Sequence, residues 1–201
     1  MNRRLGVLIS GRGSNLQAIL DATASGRLEA SVAVVVSNRA DAPGLQRARA
    51  AGVPSRVLDH RVCTSRAEYD AALVAELRRH EVGLVCLAGF MRLLGPTFLD
   101  AFPNAVLNVH PSLLPAFPGL DAQRQAVDHG VKVAGCTVHF VTAELDAGPI
   151  ILQAAVPVLP ADTADTLAAR ILVEEHRLYP AAIATVLAGG WRLDGRRFVT
   201  G

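Results

Sequence analysis

Short, continuous apolar runs recur along the chain and alternate with segments whose apolar residues return every third or fourth position. The runs at 5–9, 32–36, 56–58, 84–87, 105–109, 133–141 and 149–156 read as strands, and the early ones lack polar alternation, as strands covered on both faces do. Between them, residues 15–24 space Leu16, Ile19 and Leu20 for one helix face, and 44–51 are rich in Ala and Arg. Residues 65–79 open on a Ser65…Glu68 capping box and set Leu73, Val74 and Leu77 on one side. A long helix is predicted over 163–187, capped by Asp162 or Thr163 and kinked or divided at Pro180, which has no backbone N–H to give. Alternating strands and helices predict an α/β fold: a doubly wound, three-layer domain over 1–201 with a mostly parallel mixed sheet of about seven strands. The 141–148 connection is too short for a parallel crossover, so the strands on either side of it are predicted to be antiparallel, and which of them opposes the rest stays open. Residues 191–199, with Asp194-Gly195 at their centre, read as a terminal hairpin.

Composition narrows the function classes. Hydrophobic residues make up 51% of the chain and charged ones 19%, enough apolar material for a sizeable core. A net charge of +2 offers no footprint for nucleic acid, though local basic pockets could hold a small anion. Cys63, Cys86 and Cys136 have no metal-type spacing and read as thiols of a reducing compartment. The apolar run after the amino terminus is too short for a signal peptide and no run is long enough for a membrane span, so a cytoplasmic location is expected.

Residues 10–15, Ser-Gly-Arg-Gly-Ser-Asn, follow the first strand and open the first helix. Glycines admit a ligand close to the backbone, and free N–H groups at a helix start attract anions. The third glycine of a dinucleotide fingerprint is replaced by Leu16, and the second strand ends in Ser37-Asn38 without an acidic residue for a ribose. One terminal phosphate fits better than a dinucleotide, and an ordinary tight turn with Ser14 as helix cap is the bland alternative.

Residues 108–115, Asn-Val-His-Pro-Ser-Leu-Leu-Pro, join a buried strand to a proline-bracketed loop. Asn108 and His110, two apart on a strand, point to one face. An amide can donate to a developing oxyanion and an imidazole can move a proton near neutral pH. Asp146, in the loop after the sixth strand, could hold the tautomer of His110 or relay a proton through water, or simply cap a turn before Gly148. His139 reads as a satisfied, half-buried histidine. A metal site of His110, His139 and Asp146 is weaker, because a helical ligand pair and a second carboxylate are missing. Ser112, between two prolines and without a nucleophile elbow, is a poor hydrolase serine.

These motifs, with residues 88–94 and 139–149, occur in the order found in folate-dependent phosphoribosylglycinamide formyltransferases, and the chain resembles that family from about Leu5 to about Gly190. The resemblance implies formyl transfer from 10-formyltetrahydrofolate, as co-substrate and without a metal, to the amine of glycinamide ribonucleotide. It implies catalytic roles for Asn108, His110 and Asp146. It assigns Gly13, Ser14 and Asn15 to the substrate phosphate and Glu175 to its ribose. It assigns Arg66, Met91, Arg92, Leu93, Leu94, Asn108, Thr142, Ala143, Glu144, Leu145 and Asp146 to the folate. For Met91, Leu93 and Leu94 the alternative is plain core packing. Arg12 stands where Asn is common in the family, and it either adds charge near the phosphate or points to solvent.

Small-molecule partners are expected, without nucleic acid or membrane, for a monomer or weak homodimer. The site is expected at the carboxyl ends of the parallel strands. Formyltetrahydrofolate deformylase and methionyl-tRNA formyltransferase use the same core with an added amino-terminal or carboxyl-terminal domain, and neither added domain is expected here. A non-catalytic phosphosugar or folate sensor on the same fold is the rival from another class.

Overall fold

The computed structural model describes residues 2–201 as two compact units, which divide between Leu107 and Asn108. The first unit contains β1 (Arg4–Ile9), α1 (Ser14–Ala24), β2 (Ser31–Ser37), α2 (Gly44–Ala50), β3 (Ser55–Val57), α3 (Arg66–Arg79), β4 (Leu84–Leu87) and α4 (Pro96–Leu99). Its strands run in the order β3-β2-β1-β4, with all three pairings parallel. Leu5, Val7, Leu8, Ile9, Val34, Val35, Val36, Leu84, Val85 and Cys86 are fully buried. Burying a Val, Leu or Ile side chain contributes roughly 1.5–3 kcal/mol, so these three strands form the stable base beneath their carboxyl-end loops.

Residues 106–110 form β5 (Val106–His110), which leads into the second unit. That unit continues through α5 (Ala122–His129), β6 (Val133–Phe140), β7 (Ile150–Pro157), α6 (Ala164–Ala188), β8 (Trp191–Asp194) and β9 (Arg197–Thr200), in the strand order β5-β6-β7-β9-β8. β6 and β7 are antiparallel, as the short connection requires. β8 and β9 are an antiparallel pair, and β9 meets β7 in parallel at Ile150 and Arg197. Trp191 and Phe198 of that pair close on Phe140 of β6, with ring centroids 5.3 and 6.0 Å away.

The structure is mixed α/β with nine strands among the described residues, not about seven, because both hairpin strands join the sheet pairing. Two local expectations need correction. The long helix runs unbroken through Pro180, which does not divide it. Leu178, Tyr179, Pro180, Ala182 and Ile183 are all buried there, and that packing offsets the missing N–H. Of the two candidate caps, Thr163 is the one used, in a reciprocal box with Thr166, while Asp162 pairs with Arg170 at 2.7 Å. Ser65 accepts the Glu68 N–H, but the Glu68 carboxylate turns to the N–H and hydroxyl of Thr64, both at 2.6 Å, so the α3 box is only half closed. α5 has no counterpart in the sequence pattern; its 8 residues bury only Ala122 and Ala126.

Candidate active site

β5 carries the first two groups. Asn108 is half-buried and His110 is 5% exposed, and strand periodicity gives them a common face. The loop that follows is tied to β6. The Thr137 hydroxyl donates to the Ser112 carbonyl at 2.7 Å and accepts the Leu114 N–H at 3.0 Å. Gln153 of β7 donates to that hydroxyl and to the Leu114 carbonyl, both at 2.9 Å. Thr137 thus uses its one proton and both lone pairs, and leaving one such buried group unpaired costs about 1–3 kcal/mol. Ser112 itself is buried and donates to the Ala116 carbonyl, which commits its hydroxyl to shaping the loop.

So held, the loop presents two backbone groups. The carbonyl of Phe117 lies 2.9 Å from His110 Nε2. A carbonyl only accepts, so Nε2 carries the hydrogen and Nδ1 is the nitrogen left to gain or lose one. Asp146 Oδ2 faces that Nδ1 at 3.4 Å and accepts the N–H of Gly119 at 2.8 Å. An imidazolium here would donate from both nitrogens, with a carboxylate beside the newly placed proton. Phe117 (φ 51°) and Asp146 (φ 49°) both sit in left-handed backbone, which residues with a Cβ adopt only when their surroundings compel it.

His139 of β6 connects the amide to this pair. It is 2% exposed, so it is fully rather than half-buried. Its Nδ1 donates to the Phe140 carbonyl at 2.8 Å, which leaves Nε2 as an acceptor for the Asn108 amide N–H at 3.2 Å. Burial holds the His139 pKa below the ordinary histidine value and keeps the ring neutral. Its 3.8 Å approach to Asp146 Oδ1 is therefore not an ion pair. The β6–β7 register slips between Val138 and His139, a bulge of the kind that re-aims side chains beside functional sites. Among the described residues no cluster of His, Cys, Asp and Glu has an arrangement that could hold a metal ion.

Gly148 anchors the Asp146 loop: a Cβ at that position would lie 1.8 Å from the Phe140 carbonyl oxygen. The remainder of the loop is open, with Thr142, Ala143, Glu144 and Leu145 exposed. The structure therefore brings Asn108, His110 and Asp146 together, with His139 as the shared neighbour. Glu175 is buried on α6, and its negative charge helps burial push the Cys136 thiol of β6 up to about 12. The backbone contributions of Phe117 and Gly119 have no side-chain signature in the sequence. His139 and Thr137 do have one, as polar residues two apart in an otherwise apolar strand.

In the first unit, Gly13 caps α1 in left-handed backbone (φ 70°) with no side-chain cap, so Ser14 is the first helical residue and not the cap. A Cβ on Gly13 would come within 2.7 Å of the Gly44 Cα. Asn15 is buried, and Arg12 is exposed with its carbonyl held by Arg47 Nε at 3.0 Å. The Arg47 guanidinium also donates to Gln17 of α1 at 3.1 Å, placing a cation beside the turn. Arg66 is exposed at the start of α3. Leu94 packs inward, but Met91 is 65% exposed and Leu93 56% exposed, so those two are not core residues.

The formyl transferase family matches residues 3–183. The chain belongs to that family. It is 48% identical to the phosphoribosylglycinamide formyltransferase of Escherichia coli (strain K12) over 190 residues, covering 94% of this chain and 87% of that protein. It is also 48% identical over 186 residues to the human trifunctional purine biosynthetic protein adenosine-3, of which it spans only 18%. The crystal structure of glycinamide ribonucleotide transformylase 1 from Symbiobacterium toebii superimposes with a TM-score of 0.98 at 61% identity, covering 99% of this chain and 94% of that one.

Proposed function

We propose that this formyl transferase moves a formyl group from 10-formyltetrahydrofolate to the amine of glycinamide ribonucleotide, yielding formylglycinamide ribonucleotide and tetrahydrofolate for purine synthesis. The observation that carries this reading is the His110 Nδ1–Asp146 Oδ2 approach of 3.4 Å with the Asn108 amide held on the same strand face. The neutral amine attacks the formyl carbon. The carbonyl oxygen becomes negative and the nitrogen positive. The amide N–H of Asn108 not used by His139, and protonated His110, stabilise the oxygen. Asp146 stabilises the imidazolium and orders a water that passes the amine proton to the departing folate nitrogen as the carbon–nitrogen bond breaks. No covalent enzyme intermediate is needed, and holding both reactants together supplies much of the acceleration.

On this reading Gly13, Ser14 and Asn15 receive the phosphate at the uncapped start of α1. Glu175 holds the ribose. The exposed Met91 and Leu93, with Arg66, Arg92, Leu94 and residues 142–146, receive the folate. The enzyme acts on small molecules in the cytoplasm as a monomer or weak homodimer. The test is a formyl-transfer assay with glycinamide ribonucleotide and 10-formyltetrahydrofolate, with water as the control acceptor. Amine-dependent release of tetrahydrofolate is expected. Release without the amine would make the protein a deformylase, and binding without release would make it a sensor.

A further inference from the structure

Residues 91–94 expose two apolar side chains, yet the segment is fixed at both ends by buried acceptors. At its start, the Met91 N–H donates to Ser10 Oγ at 2.8 Å. Ser10 donates in turn to Asn38 Oδ1 at 2.7 Å, and the Asn38 amide nitrogen lies 3.3 Å from His60 Nδ1. Ser10 is 7% exposed and Asn38 3%, so water does not compete for these bonds. At the far end, the Gly95 N–H donates to Asp70 Oδ2 at 2.8 Å. Asp70, on α3, is 1% exposed, and its other carboxylate oxygen has no hydrogen-bond partner. A buried carboxylate that accepts one backbone N–H and leaves an oxygen unpaired is costly for the fold, which calls for a function. Its neighbours name one. A Cβ on Gly95 would lie 2.8 Å from Asp70 Oδ2 and 3.3 Å from the Arg66 Cδ, so the same close packing also confines Arg66.

We propose that Asp70, and Ser10 backed by Asn38, are positioning residues that clamp residues 91–94 at both ends and thereby set affinity for the folate co-substrate. The inference rests on the proposed function and deepens it. Segments ordered before a ligand arrives remove an ordering cost from binding, and exposed Met91 and Leu93 side chains on a fixed backbone form such a preordered apolar contact. The carboxylate acts through its acceptor oxygen rather than its charge. Burial pushes the Asp70 pKa upward, which agrees with a group valued as an acceptor.

The experiment compares the full-length wild type with Asp70→Ala, Asp70→Asn and Asn38→Ala. Two quantities are read: amide hydrogen exchange at Met91 and Gly95 without ligand, and the KM values for 10-formyltetrahydrofolate and glycinamide ribonucleotide. Asp70→Ala is expected to speed Gly95 exchange roughly tenfold and to raise the folate KM about fivefold, with the KM for the amine substrate within about twofold of wild type. Asp70→Asn, which keeps the acceptor, is expected to restore both. Asn38→Ala is expected to do at Met91 what Asp70→Ala does at Gly95, and it tests the clamp even if Asp70→Ala does not fold. Unchanged exchange at both amides would overturn the clamp. Faster exchange with an unchanged folate KM would overturn its role in affinity while leaving formyl transfer standing. A wild type that transfers no formyl group would remove the folate assignment itself, and the exchange data would still decide the clamp.

Discussion

His139 Nε2 accepts a hydrogen bond from the side-chain amide of Asn108 at 3.2 Å, and it can do so only because its Nδ1 proton is committed to the Phe140 carbonyl. A protonated His139 would have no lone pair to offer, and the amide of Asn108 would lose the partner that fixes which way round it sits. Replacing His139 with Phe keeps an apolar ring in the buried space and removes the acceptor. Turnover is expected to fall about tenfold, less than the roughly hundredfold expected for Asn108→Ala, which removes the proposed oxyanion donor itself. Steady-state kinetics of the two variants check this ordering. A His139→Phe enzyme as active as wild type would show that Asn108 needs no such support.

The same ring links stability to pH. Its folded pKa lies below the ordinary value of 6.5 because burial disfavours the charged form. At pH values above 6.5 the ring is neutral in both folded and unfolded chains, and its contribution is fully present. As the pH falls below that value the unfolded chain binds the proton first, so stability is lost until the folded value is reached. The added slope is at most about 1.4 kcal/mol per pH unit. Asp146 and His110 face the same ring, the carboxylate favouring its protonation and the imidazole opposing it. Urea unfolding of the wild type and of His139→Phe between about pH 7.5 and pH 5 is expected to show the steeper loss in the wild type. Parallel curves would mean that His139 titrates normally in the fold.

His110 and Asp146 test the chemistry directly. His110→Ala is expected to lower turnover by roughly a hundredfold or more with the fold retained, and Asp146→Asn to lose a comparable factor. On the proposed roles Asp146 acts on the proton and residues 13–15 hold the phosphate, so Asp146→Asn should leave affinity for the phosphate-bearing substrate within about twofold of wild type. Calorimetric binding of glycinamide ribonucleotide to each variant separates the two effects. A large affinity loss with unchanged turnover would make Asp146 a binding residue.

The elements that position these groups were legible in the sequence where the signal is local. An apolar run ending in Asn108-Val109-His110 reads directly as β5, and a glycine turn between a strand and Leu16, Ile19 and Leu20 reads as the start of α1. What could not be read is carried by the backbone or by distant partners. The Phe117 carbonyl and the Gly119 N–H fix His110 and Asp146, but any residue has those groups, and only the folded loop brings them into place. Asp70 sits at an ordinary position in a helical pattern, and its bond to Gly95 spans 25 residues. Pro180 reads as a kink or a break because the pattern shows its missing N–H and not the packing around it. For Met91 and Leu93 core packing stays open as the alternative for the converse reason: their apolar character is visible in the sequence and their exposure is not.

Gly148 offers a test of the loop rather than of the chemistry. Its Cα passes so near Phe140 that a methyl group would overlap the carbonyl oxygen, at 1.8 Å, while the Phe140 N–H donates to the Pro149 carbonyl at 2.9 Å. The Phe140 carbonyl, against which that methyl would press, is the one that holds the His139 Nδ1 proton. Gly148→Ala therefore strikes both supports of the site, since it must displace either the strand end that fixes His139 or the loop that carries Asp146. Overpacking of this kind costs about 1–3 kcal/mol, and a displacement of about 1 Å in catalytic groups can cost roughly a hundredfold in rate. The variant is expected to unfold at lower urea and to lose turnover in the folded fraction, although residue 148 bears no reactive group. Measuring the urea midpoint beside turnover at low temperature distinguishes the two losses. A variant destabilised but fully active per folded molecule would show that the Asp146 loop keeps its geometry without this close approach.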